Sequence, residues 1–382
     1  MKRRLFLALI LSALFTGGRA QYAPDCLGDG YVTRTFRMPP DYAGEVVSTL
    51  VKKIPAAGSG RAVVYVHGYN DYFFQRDLAD SIRRHGYDFY ALDLRKYGRS
   101  LRAAQDTFFV KDLGEYYADI DSALFVARQE GNRHIVLMGH STGGLIASLY
   151  LHDRGPQAPV EVLALNSPFL DMNMNWLLET IGVPVVSFLG KYFPSMQVQG
   201  RELSMYAVSL LKQYRGEWEY DTGWKLTWGH PIKAGWIRAV HQGQRRVRKG
   251  LDIKVPVLLM SSDRSIRATQ EWNDAYASAD IVLDVNDIQR YGRTLGRRVT
   301  PVTIAGGLHD LSLSARPARD RFYSVLFDWL EKLPAGAPAS NRTEPSSGIR
   351  TDGNGTEGSD EATNPDGKKR HGGCEQNIEP DR

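Results

Sequence analysis

Gly139-His140-Ser141-Thr142-Gly143 sets a serine between small residues, directly after the apolar run His134–Met138 and directly before a helical stretch from Leu145. G-x-S-x-G at a strand–turn–helix junction forces a sharp turn that tolerates only small neighbours. The turn lifts the hydroxyl clear of the sheet and aims it at the start of the following helix, whose free N–H groups favour a developing anion. The chemistry such a serine can do is nucleophilic acyl transfer.

A serine nucleophile needs three kinds of help, and the sequence offers candidates for each. His67-Gly68-Tyr69-Asn70 closes the strand Val63–Val66. A His-Gly pair there turns the next N–H inward, so the backbone N–H groups of Tyr69 and Thr142 are the expected oxyanion hole. The base is expected on the last strand–helix loop, in Ile304-Ala-Gly-Gly-Leu-His309-Asp310. His309 there takes the proton from Ser141 and returns it to the leaving group. Of the other histidines, His140 is expected to point away from the site, His67 to be tied to its loop, and His230 and His241 to fall in an insertion. The acid is expected after the preceding strand, Val255–Met260, where Asp263 follows Ser261-Ser262. Asp284 is the alternative. Asp310 is too near His309 to orient its ring and suits a helix N-cap. The order Ser141, Asp263, His309 is the one this arrangement requires.

The elements that hold these residues read as an alternation. Strands are expected at 31–37, 45–52, 62–66, 87–94, 134–138, 160–165, 255–260 and 300–304. Helices are expected at about 76–85, 112–130, 145–152 and 316–332. Apolar β-branched runs such as Ala62–Val66 fit strands buried on both faces, and strands separated by helices imply a mostly parallel sheet covered on both sides. The stretch 172–251 breaks the rhythm with a dense set of aromatic and Met residues, Trp218, Trp224, Trp228 and Trp236 among them. It is expected to be a mainly helical insertion between core segments 28–171 and 252–333.

The ends differ from the middle. Lys2-Arg3-Arg4, the apolar run Leu5–Phe15 and small residues at Gly18 and Ala20 form a signal-peptide pattern over residues 1–20, too short to span a bilayer. The mature chain is therefore expected in a periplasm or outside a cell. Residues 335–382 are nearly empty of apolar side chains and are expected to be disordered. Asn341-Arg-Thr and Asn354-Gly-Thr match the short glycosylation pattern. An oxidising compartment permits Cys26 and Cys374 to pair, and neither has the spacing of a zinc ligand.

The chain has 382 residues, 42% hydrophobic and 24% charged, enough for a core without metal or disulfide support. The net charge of +5 is mild, and no basic patch alternates with stacking aromatics, so a nucleic-acid partner is not indicated. Arg245-Arg246-Val-Arg248-Lys249 reads as a solvated helix face that could make weak contact with an anionic membrane surface. No metal or organic cofactor is implied.

These residues together resemble a known family. His67-Gly68, Asp93-Leu-Arg95-Lys-Tyr-Gly98-Arg-Ser100, Gly139-His-Ser141-Thr-Gly143-Gly144, Ser262-Asp263-Arg264 and His309 are similar to motifs of the bacterial α/β hydrolases grouped with lysophospholipases, monoacylglycerol lipases and the serine aminopeptidase-like "hydrolase 4" set. The likeness spans about residues 30 to 333. It implies an α/β-hydrolase fold with a helical cap, ester hydrolysis, and the roles given above to Ser141, Asp263, His309, Tyr69 and Thr142. The chain departs from the family where Tyr69-Asn70 stands in place of a further glycine, and in the long stretch after Asp263, which keeps Asp284 open. Arg95 and Arg99 either anchor their loop near the site or belong to a structural turn fixed by Gly98. The expected substrate is a lipid monoester such as a lysophospholipid or monoacylglycerol. The rivals are amide or peptide hydrolysis with the same residues and a non-catalytic binding protein on the same fold.

Overall fold

In a computed structural model, residues 22–333 are described, apart from 104, 200, 201, 230 and 231. The expectations for the leader (1–20), His230, the acceptor asparagines 341 and 354, Cys374 and the tail (335–382) lie outside the described residues.

The alternation read from the sequence is present. In chain order the elements are β1 (Ala23–Pro24), β2 (Tyr31–Asp41), β3 (Gly44–Lys53), β4 (Arg61–Val66), α1 (Arg76–Arg84), β5 (Asp88–Asp93), α2 (Tyr117–Gln129), β6 (His134–His140), α3 (Thr142–Arg154) and β7 (Val162–Asn166). Then come α4 (Val183–Tyr192), β8 (Gln197–Gln199), α5 (Met205–Leu210), β9 (Ile232–Lys233), α6 (Ala234–Arg248), β10 (Val257–Ser262), α7 (Val285–Gly292), β11 (Val299–Ile304) and α8 (Arg316–Lys332). Nine strands form one sheet in the order β1-β2-β3-β5-β4-β6-β7-β10-β11. From β5 to β11 every neighbouring pair is parallel, while β1, β2 and β3 pair antiparallel. This mostly parallel sheet flanked by helices is the α/β-hydrolase fold.

The continuous apolar runs are explained by burial on both faces. In β4, Val64 and Val66 face one core with Leu137 of β6, Leu124 of α2 and Leu149 of α3. Val63 and Tyr65 face the opposite core with Met138, Ile82 of α1 and Phe322 of α8. The helical reading of 112–130 divides in two, because Asp112 caps a 3₁₀ turn, Leu113–Tyr116, with its side chain on Gly114 N–H before α2 begins. The short helix α7 had no counterpart in the expectations. Between β7 and β10 the chain leaves the large sheet, and α4 to α6 and the small β8–β9 pair lie in that stretch.

The Asp93–Ser100 turn is structural. Gly98 has φ +41°, and a Cβ there would stand 2.6 Å from Asp93 Oδ2. Arg99 is paired with Asp25 and Asp93, and Arg95 with the fully buried Asp119 at 2.6 Å. Deleting one partner of such a pair strands a buried charge, at a cost of roughly 3–5 kcal/mol.

Candidate active site

The serine sits where a strained corner puts it. Ser141 joins the end of β6 to the start of α3 with φ 51° and ψ −120°, a left-handed backbone that a non-glycine residue adopts only when its surroundings enforce it. The corner is closed by main-chain bonds from Ser141 N–H to Asn166 O at 3.1 Å and from Phe169 N–H to Ser141 O at 2.9 Å. The flanking glycines are required by space. A Cβ on Gly139 would meet Gly143 O at 2.7 Å, and one on Gly143 would meet His67 O at 2.3 Å.

Thr142 is the first residue of α3, so its N–H has no carbonyl one turn back. Tyr69 follows the end of β4, its ring packed on Phe108 and Trp236 with centroids 5.2 and 4.3 Å away. Asn70 takes φ 49°. Its side chain accepts from Leu226 N–H at 2.7 Å and donates to Leu226 O at 2.9 Å. His67 is tied to its loop, with Nδ1 on Gly68 O and Nε2 accepting from Leu94 N–H.

His309 is buried and lines the same cavity as Ser141. Its partner is not the residue expected. Nδ1 lies 2.9 Å from Oδ2 of Asp280, a fully buried carboxylate. Oδ1 of Asp280 accepts from the N–H groups of Val282 and Leu283, both at 2.8 Å, so the carboxylate is aimed at the ring from a rigid turn. Asp263 is exposed and accepts from Gly306 N–H at 3.0 Å, bracing the loop before His309 without reaching it. Asp284 caps α7 through Asn286 N–H. The structure thus pairs His309 with Asp280, and not with the expected Asp263 or the alternative Asp284. After β10 the chain wanders through residues 263–279 and returns. Ile266 N–H binds Asp280 O, and Asp280 N–H binds Arg264 O, which sets Asp280 beside the strand end. Sequence reasoning missed this because the acid is delivered by a returning loop and not by the strand end itself. Its signal was an aspartate embedded in the apolar run Ala279-Asp280-Ile281-Val282-Leu283.

His140 also differs from expectation. Its ring lies 4.8 Å from that of His309 and lines the cavity, with Nδ1 on Asn166 O. Burial, with His309 close by, lowers its pKa below the ordinary imidazole range. Asp310 caps the 3₁₀ turn Leu311–Leu313, as its position suggested. Its Oδ1 also accepts from Asn166 Nδ2 at 2.7 Å, which ties the loop of His309 to the corner of Ser141. Asp71, His140 and Asp310 offer three ligand atoms within 4.8 Å of one another, a spacing that could hold a cation. Lys225 Nζ sits 2.9 Å from Asp71 Oδ1, and Asn166, Ser312 and Gln75 donate to Asp310. Lys225 thus brings a positive charge to this cluster through Asp71.

The cavity holds about 650 Å³. Tyr69, His140, Ser141, Thr142 and His309 converge on it, and apolar side chains such as Phe169, Met172, Val183, Val186 and Trp236 line its walls. Asn70, Asp71 and Lys225 are among its polar lining residues. The arrangement can present a hydroxyl, a buried imidazole–carboxylate pair and two backbone donors to a molecule with a long apolar part.

Comparisons with known proteins agree with this fold. The model of the family Hydrolase_4, described as serine aminopeptidase, S33, matches residues 59–313. Among solved structures the chain is similar to a monoacylglycerol lipase from Paleococcus ferrophilus at 18% identity and TM-score 0.52, covering 78% of this chain and 98% of that one. It is similar to a soluble variant of monoglyceride lipase from Saccharomyces cerevisiae, solved with a substrate analog, at 17% identity and TM-score 0.56, covering 79% and 96%. It is also similar to a thermostable carboxyl esterase from Bacillus coagulans, solved with glycerol, at 14% identity and TM-score 0.54, covering 78% and 98%. No curated protein matches the chain.

Proposed function

The chain belongs to the Hydrolase_4 family, and on that premise we propose that it hydrolyses carboxylic esters, with lipid monoesters such as monoacylglycerols or lysophospholipids as the substrate class. The observation that carries the reading is the apolar cavity lined by both the strained Ser141 and His309, the latter backed by Asp280.

His309 removes the proton from Ser141 Oγ as the oxygen attacks the ester carbonyl. Asp280 holds the imidazole with its proton on Nδ1 and stabilises the imidazolium that forms. The tetrahedral oxyanion is met by the N–H groups of Tyr69 and Thr142, donors already fixed before the charge develops. His309 then protonates the departing alcohol, leaving an acyl group on Ser141. Water, deprotonated by the same imidazole, releases the acid.

The apolar walls support an acyl chain as the buried part of the substrate. A second feature supports a lipid. Trp176, Leu177, Ile181, Phe188 and Tyr192 are large apolar residues more than half or about half exposed on one stretch beside the cavity, and Leu178 is both exposed and part of its lining. Exposed apolar surface of that extent marks a site of contact with apolar material. We place the cap function in the stretch 172–251 and the membrane contact on this apolar face. In the basic run 245–249, Arg246 is paired with Asp153, and Arg248 with Asp171 and Glu179. No helix among the described residues is long and apolar enough to cross a membrane.

The family description gives a second reading, amide hydrolysis by the same residues. A side-by-side assay of monoacylglycerols, lysophospholipids and amino-acid arylamides separates the two. Turnover is expected with the long-chain monoesters and to rise when they are presented on vesicles. Turnover of arylamides alone would reject the lipid reading.

A further inference from the structure

Lys225 belongs to the inserted stretch between α5 and β9, yet its charge is buried at the centre of the catalytic loops. Its side chain is 7% exposed, its ammonium lies 2.9 Å from Asp71, whose side chain is 2% exposed, and the rings of Phe74, Tyr206 and Tyr220 each stand 5.7 Å from Nζ. An ammonium enclosed by three aromatic faces and one carboxylate occupies a built seat. Asp71 is two residues beyond Tyr69, and its Oδ2 has no hydrogen-bond partner. His140 and Asp310, which complete the cluster, flank Ser141 and His309.

Together with α5, the same stretch also grips these loops through neutral bonds. Leu226 holds Asn70 through two hydrogen bonds, Asp221 N–H donates to Tyr72 Oη at 2.8 Å, Asp310 N–H donates to Tyr206 Oη at 3.0 Å, and Trp218 Nε1 donates to Leu313 O at 2.7 Å. Those bonds position the backbone whether or not Lys225 is charged. What the lysine adds is a positive charge on a carboxylate that lines the same cavity as Tyr69, Ser141 and Thr142.

We propose that Lys225 is a positioning residue that compensates Asp71, so that the loop carrying the Tyr69 donor meets the oxyanion without the opposing field of an unpaired buried carboxylate. The inference rests on the ester-hydrolase reading. Its consequence is specific. An unpaired Asp71 raises the energy of the charged transition state and not that of the neutral bound ester, so kcat falls while KM changes little.

The test measures kcat and KM on one monoacylglycerol for Lys225→Met, Lys225→Arg and the double variant Lys225→Met/Asp71→Asn, with folding followed by thermal unfolding. Lys225→Met is expected to lose roughly 10²-fold in kcat, the scale of one lost oxyanion donor, with KM little changed. Lys225→Arg keeps the charge and is expected to retain most of kcat. The double variant leaves no orphaned charge, so it is expected to fold and to recover most of kcat. It decides the matter even if Lys225→Met does not fold. A double variant as damaged as the single one, an arginine variant as damaged as the methionine one, or a methionine variant with undiminished kcat would each overturn the proposal. An unaltered chain with no esterase activity would instead sink the reading on which it rests.

Discussion

Ser141→Ala is expected to lower kcat by roughly 10⁴–10⁶-fold with the fold intact. The size follows from what the substitution removes. Alanine has no hydroxyl to attack the carbonyl from the corner before α3, so the acyl-enzyme route through residue 141 disappears and His309 has no serine proton to take. What remains is the oxyanion donors and the cavity, which still bind and polarise an ester toward water. The corner should survive the change. The strained φ of 51° is set by the backbone bonds of Ser141 to Asn166 and Phe169, and alanine keeps them both. Steady-state turnover of the best monoester measures the effect, and the melting temperature checks the fold. An alanine variant that retains activity would overturn the assignment.

Asp280→Asn is expected to cost about 10⁴-fold in kcat, the scale seen when an orienting carboxylate becomes an amide, while Asp263→Asn and Asp284→Asn leave kcat near that of the unaltered chain. In Asp280, Oδ1 receives the N–H groups of Val282 and Leu283, and Oδ2 faces Nδ1 of His309. Asparagine keeps its carbonyl oxygen on the two backbone donors, so its NH₂ group must point at the imidazole. That group can only donate, which drives the ring's proton from Nδ1 to Nε2 and removes the lone pair needed by Ser141. The stability cost is small, because every backbone bond is kept. Asp263 makes one bond, to Gly306 N–H, from an exposed position, and Asp284 only caps α7. If Asp263→Asn proved the damaging variant and Asp280→Asn the mild one, the pairing at His309 would be wrong.

The contrast shows what a sequence can and cannot carry. The sheet was legible because Ala62–Val66 of β4 and Ile135–Met138 of β6 are apolar without interruption, a consequence of the two cores that Val63 and Val64 face in turn. The corner at Ser141 was legible because its glycines are required at fixed spacing, with Gly143 lying against His67 O. His309 was legible from its place on the last strand–helix loop. Asp280 was not. Its position depends on how a long irregular segment folds back, with Ile266 N–H bound to Asp280 O and Asp280 N–H bound to Arg264 O across the return, and no periodic pattern records that path. The short α7 escaped for a related reason, since few of its positions are buried and its apolar period is too short to read. His140 was misjudged because its direction depends on a bond to Asn166, a residue far along the chain.

The claim on which the account depends is that Ser141 is a nucleophile activated by His309. A fluorophosphonate traps such a serine covalently, and intact mass followed by peptide mapping reads the result without any assumption about substrate. The account predicts a single adduct on the peptide bearing Ser141, and none within the same time in His309→Ala. An adduct on another serine, or an unmodified Ser141 in protein that turns over esters, would contradict it.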